Sequence, residues 1–450
     1  MIQVREYATL SCKADGPPSI DLGIVSAATL NWLLELQQSQ QGKLLYESGR
    51  HSVKLRSYVG FLQSPSGESI EILPKIHRHL PSPEEMCESR QLLQKMLATS
   101  LHIKPREAGP ASLRRMHTPL HEWIFAQFLD HLSQLVRRGL RFDYQRVEEE
   151  SRFIRGQLDL ARQCRQTPDR ATWFHIRHDI YSPQRIENRL LKTALDYVLR
   201  MTGNPDNWRL ANELAHQLVE IEPCREPLTE LPKWQAGKLM QAYDAVKPWC
   251  QLILEKLNPS FQQGNHRGIA LLFPMERLFE SYVADSLSRE LAPSARLRAQ
   301  VRDRYLLKHR PDGAVSECSW FQLKPDLLLE SRTAGPERVR FAVMDTKWKL
   351  LNSELASGDA KYKLSQGDMY QLYAYGQKYM RGEGHMALIF PAHAQFKSAL
   401  PRFSFSERLH LWVLPFDLKQ RQLVPGEWLE HFPGLRGRLN QSARFEAVAS

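Results

Sequence analysis

Residues 321–350 read FQLKPDLLLESRTAGPERVRFAVMDTKWKL, with two short apolar runs, Leu327 to Leu329 and Phe341 to Met344, flanking a segment rich in turn-forming residues. Apolar runs of that length read as buried strands, and Gly335-Pro336 marks a reversal between them. If Asp326 lies opposite Asp345, the centre of the connection falls between Gly335 and Pro336, where the turn chemistry already is. The two carboxylates then sit on neighbouring strands with Cα atoms roughly 4.5–5.5 Å apart. Side chains alternate along a strand, so Lys347 shares the face of Asp345. One face thus carries two acids and a lysine.

Two carboxylates that close either share a proton or bind a cation. Oxygen ligands at short spacing favour a hard divalent ion, Mg²⁺ or Mn²⁺. Such an ion polarises a phosphoryl oxygen and acidifies water, and Lys347 is suited to steady the attacking water or the phosphorus centre. The chemistry suggested is metal-assisted hydrolysis of a phosphodiester; the competing reading is an edge hairpin whose charges are simply solvated. The separate fragments are not diagnostic. Pro-Asp recurs at Pro168-Asp169, Pro205-Asp206 and Pro311-Asp312, and Asp-x-Lys recurs at Asp359 to Lys361 and Asp417 to Lys419. Only the combination of paired strands, centred turn and same-face Asp and Lys singles out the first set.

The rest of the chain bounds the setting. A length of 450 residues, with 42% hydrophobic and 25% charged content, suggests a soluble globular protein of two or three domains. Lys and Arg exceed Asp and Glu by 61 to 50, an excess for which a polyanion such as nucleic acid is the natural partner. The six cysteines are scattered without a CxxC pair, so a disulfide framework or a cysteine-bound metal is not expected and a reducing cytoplasm fits. Neither a membrane span nor a signal peptide is expected. No P-loop pattern occurs, so this chain should bind no nucleotide, and His175 and His178 lack the further ligands of a zinc site.

Along the chain, residues 1–102 read as a β-rich N-terminal domain with a short helix from Ala27 to Gln38. In it a hairpin turns at Ser64-Pro65-Ser66-Gly67, and Ser82 or Pro83 opens a helix over Glu84 to Leu97. Residues 103–260 form a mainly helical middle region. It begins with a linker over 103–118 and a helix from Leu120 to Arg137. A hairpin-like strand pair follows around Arg155-Gly156, then the apolar stripe of ENRLLKTALDYVLR and a helical region from Leu228 to Leu257. Residues 261–450 alternate helix and strand, as in an α/β sheet with helices packed against it. There Pro274 opens a helix with Leu278, Phe279, Tyr282, Val283 and Leu287 inward; its Glu280 either leans toward the hairpin or is a solvated surface acid. RLRAQVRDRYLLKHR sets Arg296, Arg298, Arg302, Arg304, Lys308 and Arg310 against the single acid Asp303. Beside a phosphodiesterase site that reads as a phosphate-tracking strip, and otherwise as a wet surface. A helix ending at Gly382 puts Gln371 and Tyr375 on one face, to reach a phosphate, to brace the acids or only to half-bury a tyrosine-rich helix.

The order helix-Glu, Pro-Asp, Asp-x-Lys, Gln-x-x-x-Tyr resembles the PD-(D/E)xK nuclease superfamily, in its RecB-like branch. More of the chain resembles the McrC-like nuclease subunits of McrBC-type modification-dependent restriction systems. The carriers are YVGFLQSPSGESIEILPKI, RRGLRFDYQRVEEESRFIRGQLDL, ENRLLKTAL, LFESYV, LKPDLLLE, VMDTKWKLL and DMYQLYAYG. The resemblance implies a C-terminal PD-(D/E)xK endonuclease core, a mixed sheet flanked by helices. It implies a Mg²⁺-dependent DNA endonuclease of a restriction system, partnered by a separate hexameric McrB-like AAA+ GTPase that recognises modified double-stranded DNA. Asp326, Asp345 and Glu280 would be metal ligands, Lys347 the catalytic lysine, Gln371 and Tyr375 accessory. The side chain of Thr346 is not required if its carbonyl ligates metal. The N-terminal region would stimulate the GTPase, and a nuclease domain lacking residues 1–80 is expected to stay folded. The alternatives are a non-catalytic DNA-binding assembly factor that activates a motor, and a standalone RecB-like nuclease.

Overall fold

The computed structural model describes residues 1–13, 16–39, 44–76, 80–101, 103, 118–235, 237–257, 268–312, 316–332 and 340–435. The expected turn at Gly335-Pro336 and nearly all of the linker at 103–118 lie outside the described residues. The chain is a mixed α/β protein that divides into two compact units, one of Met1–Gly60, Ile70–Pro105 and Leu272–Ser450, the other of Phe61–Ser69 and Arg106–Leu271. No helix among the described residues is long and apolar enough to cross a membrane.

In the first unit, strand Ile2–Arg5 runs parallel to Ser69–Leu73 in a four-stranded sheet, and Thr9–Ser11, Leu22–Ile24, Leu45–Gly49 and Ser52–Leu55 form a second. The expected helix is Ala27–Ser39; the turn after Gln63, which belongs to the second unit, closes with Gly67 N donating to Ser64 O. Helix Pro83–Ser100 starts on a capping box, the Ser82 hydroxyl accepting from Glu85 N while the Glu85 carboxylate accepts from Ser82 N. The IEILPKI segment ties this helix to the sheet, since buried Glu71 accepts from Arg90 Nε at 2.9 Å and from Arg90 Nη2 at 2.5 Å.

The C-terminal part of the same unit is built on a seven-stranded mixed sheet. Its order is Ala295–Ala299, Leu327–Ser331, Arg340–Thr346, Gly384–Pro391, Leu409–Asp417 and Phe403–Ser404, with Gln422–Leu423 also on Leu409–Asp417. Arg340–Thr346, Gly384–Pro391 and Leu409–Asp417 are parallel neighbours. Such strands bury both faces, which is why MALIFP and LHLWVLPF read as continuous apolar runs. Helix Gln366–Met380 covers the face carrying Leu328, Val343, Met386, Leu388, Leu411 and Val413. Helix Met275–Arg289 packs Phe279 and Tyr282 on Phe416, whose alternation points it to the other face. All five of that helix's expected inward residues are buried.

In the second unit, helix Leu120–Arg138 ends at Gly139, whose φ of 91° is the left-handed conformation glycine accommodates. The ENRLLKTAL stretch lies in helix Ile186–Met201. Its Asn188 donates to Arg141 O and Pro183 O and accepts from Tyr243 OH, so that motif and RRGLRF meet in a buried structural network. Two expectations need correction. Asp143–Ser151 and Gln157–Leu158 do not form a hairpin with each other; both pair with Phe174–Ser182, which lies between them. Gly156 is pressed against that central strand, where a Cβ would meet Arg177 O at 2.4 Å. The helical region over 228–257 is broken into short pieces, Pro227–Glu230, Leu231–Lys233, Lys238–Tyr243, Lys247–Leu252 and Ile253–Leu257, by Pro232, Gly237 and Pro248. His175 and His178 stand on the central strand near acids, His175 3.6 Å from Glu150 and His178 3.8 Å from Glu149.

Candidate active site

Strands Leu327–Ser331 and Arg340–Thr346 are antiparallel with Leu327 opposite Met344 and Leu328 opposite Val343, the register in which Asp326 faces Asp345. A bulge after Leu329 displaces only the far end of the pair. Beyond Leu327 the chain turns, and Asp326 O accepts from Gln300 N at 2.8 Å. The Asp326 carboxylate accepts from both the backbone N and the hydroxyl of Thr346, each at 2.7 Å. The side chain of Thr346, set aside in the sequence, therefore holds the first acid in place.

Asp345 is 1% exposed, and the Lys347 ammonium stands 2.7 Å from its Oδ2. At that distance the ammonium is a charge-assisted partner of the buried Oδ2. Burial raises the pKa of Asp345, and the neighbouring Asp326 raises it further. Burial also raises Asp326, against the opposing bonds from Thr346. Burial would depress the Lys347 amine, but the Asp345 carboxylate outweighs it and the amine pKa is raised. Lys347 is a fixed cation there, not a base.

A chain of hydrogen bonds fixes that cation. Lys347 Nζ donates to Gln371 Oε1 at 3.2 Å, Gln371 Nε2 donates to Tyr375 OH at 2.7 Å, and Tyr375 OH donates to Lys324 O at 3.0 Å, two residues before Asp326. Gln371 and Tyr375 thus brace the acidic hairpin; Tyr375 is buried, whereas Tyr370 and Tyr373 of the same helix are exposed. Glu280 is half-buried on helix Met275–Arg289, within electrostatic range of the pair. Its carboxyl is pushed up to about 7 by burial first and by Asp326 next, with a bond from Gln300 opposing and Asp345 adding to the rise.

The arrangement suits a hard cation in its donor chemistry: two carboxylates that repel as anions, the second buried, and a third carboxyl within electrostatic range. Among the described residues no group of three His, Cys, Asp or Glu is drawn together closely enough to hold a metal ion. Asp326 and Asp345 are the acids in register, and Glu280 interacts with both electrostatically.

The basic strip is brought together only in part. Arg296 and Arg298 lie on the edge strand Ala295–Ala299, and Arg298 faces Asp303 at 3.5 Å and buried Glu330 at 3.7 Å. Arg304 and Lys308 stand on a separate two-stranded ribbon, Arg304–His309 with Cys318–Leu323, where Lys308 is 3.9 Å from Glu317. Arg302 and Arg310 flank that ribbon, exposed. Sequence reasoning missed the aromatic side chains Tyr305, Trp320 and Phe321 exposed on the ribbon, and it missed Trp348. Tryptophan directly after the lysine was the available signal.

Curated proteins give no match. Among solved structures, a chain of the half-complex from the tetradecameric assembly of Thermococcus gammatolerans McrB AAA+ hexamers with bound McrC is 18% identical. It superposes over 98% of this chain and 99% of its own with a TM-score of 0.68. A chain of the Thermococcus gammatolerans McrBC complex is 21% identical over 65% of this chain and 88% of its own, with a TM-score of 0.49. The family model described as McrBC 5-methylcytosine restriction system component matches residues 53–391, three quarters of the sequence, and the chain belongs to that family.

Proposed function

We propose that the chain is the nuclease subunit of a McrBC-like modification-dependent restriction system, a metal-dependent deoxyribonuclease with a PD-(D/E)xK core. The observation that carries this reading is Asp345 buried beside Lys347 in register with Asp326. Asp326 and Asp345, with Glu280, would hold Mg²⁺ or Mn²⁺, which when bound would supply Lewis-acid polarisation of a phosphodiester oxygen. The chain's own residues do the rest. Thr346 holds the Asp326 carboxylate in place through its backbone N and its hydroxyl. Lys347 presents a cation, steadied by Gln371, where a phosphate or an attacking water must lie. The exposed cations Arg296, Arg302, Arg304, Lys308 and Arg310 offer positions for the backbone of double-stranded DNA, while Arg298 faces two acids and serves the ribbon more than the substrate.

The partner in this reading is a McrB-like hexameric AAA+ GTPase, which would recognise the modified DNA. Family membership and the likeness to a structure of McrB hexamers with bound McrC support it. The boundaries 1–102, 103–260 and 261–450 serve as the working division of labour, with partner binding toward the N-terminus and cleavage toward the C-terminus. A non-catalytic DNA-binding assembly factor is the competing reading, favoured by the absence of a converging third ligand among the described residues. Stimulation of the partner's GTP turnover and cleavage of modified DNA, measured together for wild type and Asp345→Ala, separate the two. The nuclease reading expects the variant to keep stimulation and lose cleavage. Cleavage by neither protein favours the assembly factor.

A further inference from the structure

Glu6 lies in the turn between strands Ile2–Arg5 and Thr9–Ser11 and is 0% exposed. Its carboxylate accepts from Trp348 Nε1 at 2.6 Å, Lys75 N at 2.8 Å and Ser57 Oγ at 3.4 Å. All three donors are neutral, and burial pushes the carboxyl up to about 7 despite them. An apolar side chain would leave these three donors without their acceptor, so the carboxyl ties together the segments that carry them. The next residue, Tyr7, has a φ of 65°, a left-handed conformation costly for a bulky side chain, in the turn that presents Glu6.

The indole that Glu6 holds is placed between two parts of the acidic site. Trp348 directly follows Lys347, whose backbone N makes the strand's last bond to Ile389 O at 2.9 Å before the chain leaves the sheet. Trp348 alternates away from Lys347, and its ring meets Phe279, the residue before Glu280, at 5.3 Å. Gln371 and Asp345 hold the tip of Lys347, and past the end of the ladder the anchoring of its neighbour holds its backbone. Rotation of the indole would move the lysine and loosen the helix position of Glu280 together.

We infer that Glu6 is a positioning residue of the active site, holding Lys347 and Glu280 in place through the indole of Trp348. The inference rests on the nuclease reading of Asp326, Asp345 and Lys347 and adds to it that the N-terminal segment is part of the site.

The full-length chain with its partner tests this in wild type, Glu6→Gln, Glu6→Ala and Trp348→Phe. Three quantities are read: kcat and KM for Mg²⁺-dependent DNA cleavage, the ¹⁹F resonance of 5-fluorotryptophan at position 348 (assigned by its loss in Trp348→Phe), and the titration of the Lys347 amine by ¹⁵N NMR. Glu6→Ala should lower kcat on the order of 10²-fold with KM unchanged, as misplacement of a reacting group does. It should also shift both resonances. Glu6→Gln keeps Oε1 as the acceptor for both the indole and Lys75 N and turns its amide toward the Ser57 hydroxyl, which can accept, and should stay near wild type in all three readouts. If Glu6→Ala does not fold, the same comparison is read on Trp348→Phe, which removes the donor, through kcat and the Lys347 amine. Wild-type kcat with unmoved Trp348 and Lys347 signals in the folded variant overturns the inference, as does a fall in melting temperature with both signals in place. The two NMR readouts need no cleavage. A wild-type protein as inert as Asp345→Ala therefore sinks the nuclease reading separately, while the resonances still decide whether Glu6 holds the lysine.

Discussion

At the scale of single residues, the electrostatics of the hairpin make testable demands. Lys347→Ala removes the cation beside Asp345 and is expected to lower the cleavage rate on the order of 10²–10³-fold. Single-turnover cleavage measures it; a rate within a few-fold of wild type would remove Lys347 from the chemistry. Glu6 and Glu280 are each pushed up to about 7 by burial. A carboxyl whose folded pKa lies above its unfolded value binds its proton more tightly in the folded chain. The stability it contributes is full below about 4.5 and is lost as pH rises through about 7. Melting temperature in EDTA should therefore fall between those pH values. Glu6→Gln should flatten the fall, and Mg²⁺ should offset the part due to Glu280 and the aspartates by favouring their ionised forms. A melting temperature that rises over that interval, or is indifferent to Glu6→Gln, contradicts the assignment. Asp345 and Lys347 were legible because strand alternation is a strict period of two; Glu6 was not, since its partner lies 342 positions away.

At the scale of elements, the hairpin was the most legible part. Its register follows from placing two acids symmetrically about a turn, and the bulge past Leu329 lies beyond the span that argument used. The pair expected at Arg155-Gly156 failed because a turn signal marks a reversal without naming the neighbour, and a strand from further along inserted itself. The basic strip reads as one run in sequence but divides between a sheet edge and a ribbon. If the ribbon tracks DNA, reversing Arg302, Arg304 and Lys308 should weaken binding and reduce the log–log salt slope by about 0.9 for each phosphate no longer neutralised. An unchanged slope places the DNA elsewhere. Helix Gln366–Met380 carries Gln371 and Tyr375 against the hairpin only because Gly376 permits close approach; a Cβ there would meet Leu409 Cδ2 at 2.7 Å and Met386 Sδ at 3.0 Å. Gly376→Ala should cost about 1–3 kcal/mol by overpacking, read by denaturant unfolding. A neutral result would show that the helix can shift without penalty.

At the scale of the whole molecule, sequence suggested an N-terminal domain that could be removed without unfolding the part that carries Asp345. Instead residues 1–60 and 70–105 share a compact unit with 272–450, and Glu6 is buried against Trp348. Composition along the chain marks changes in secondary structure, not which distant segments share a core, so this association could not be read from sequence. Removal of residues 1–80 should therefore leave the indole of Trp348 without its acceptor and lower the melting temperature of what remains, and a fragment as stable as the full chain would refute that. The account as a whole rests on the acid pair and its lysine. Its most direct test is cleavage of modified double-stranded DNA by the purified chain with its AAA+ partner, GTP and Mg²⁺, comparing wild type with Asp345→Ala. The account predicts cleavage by wild type and none by the variant, at undiminished GTP turnover; cleavage that survives in the variant would contradict it.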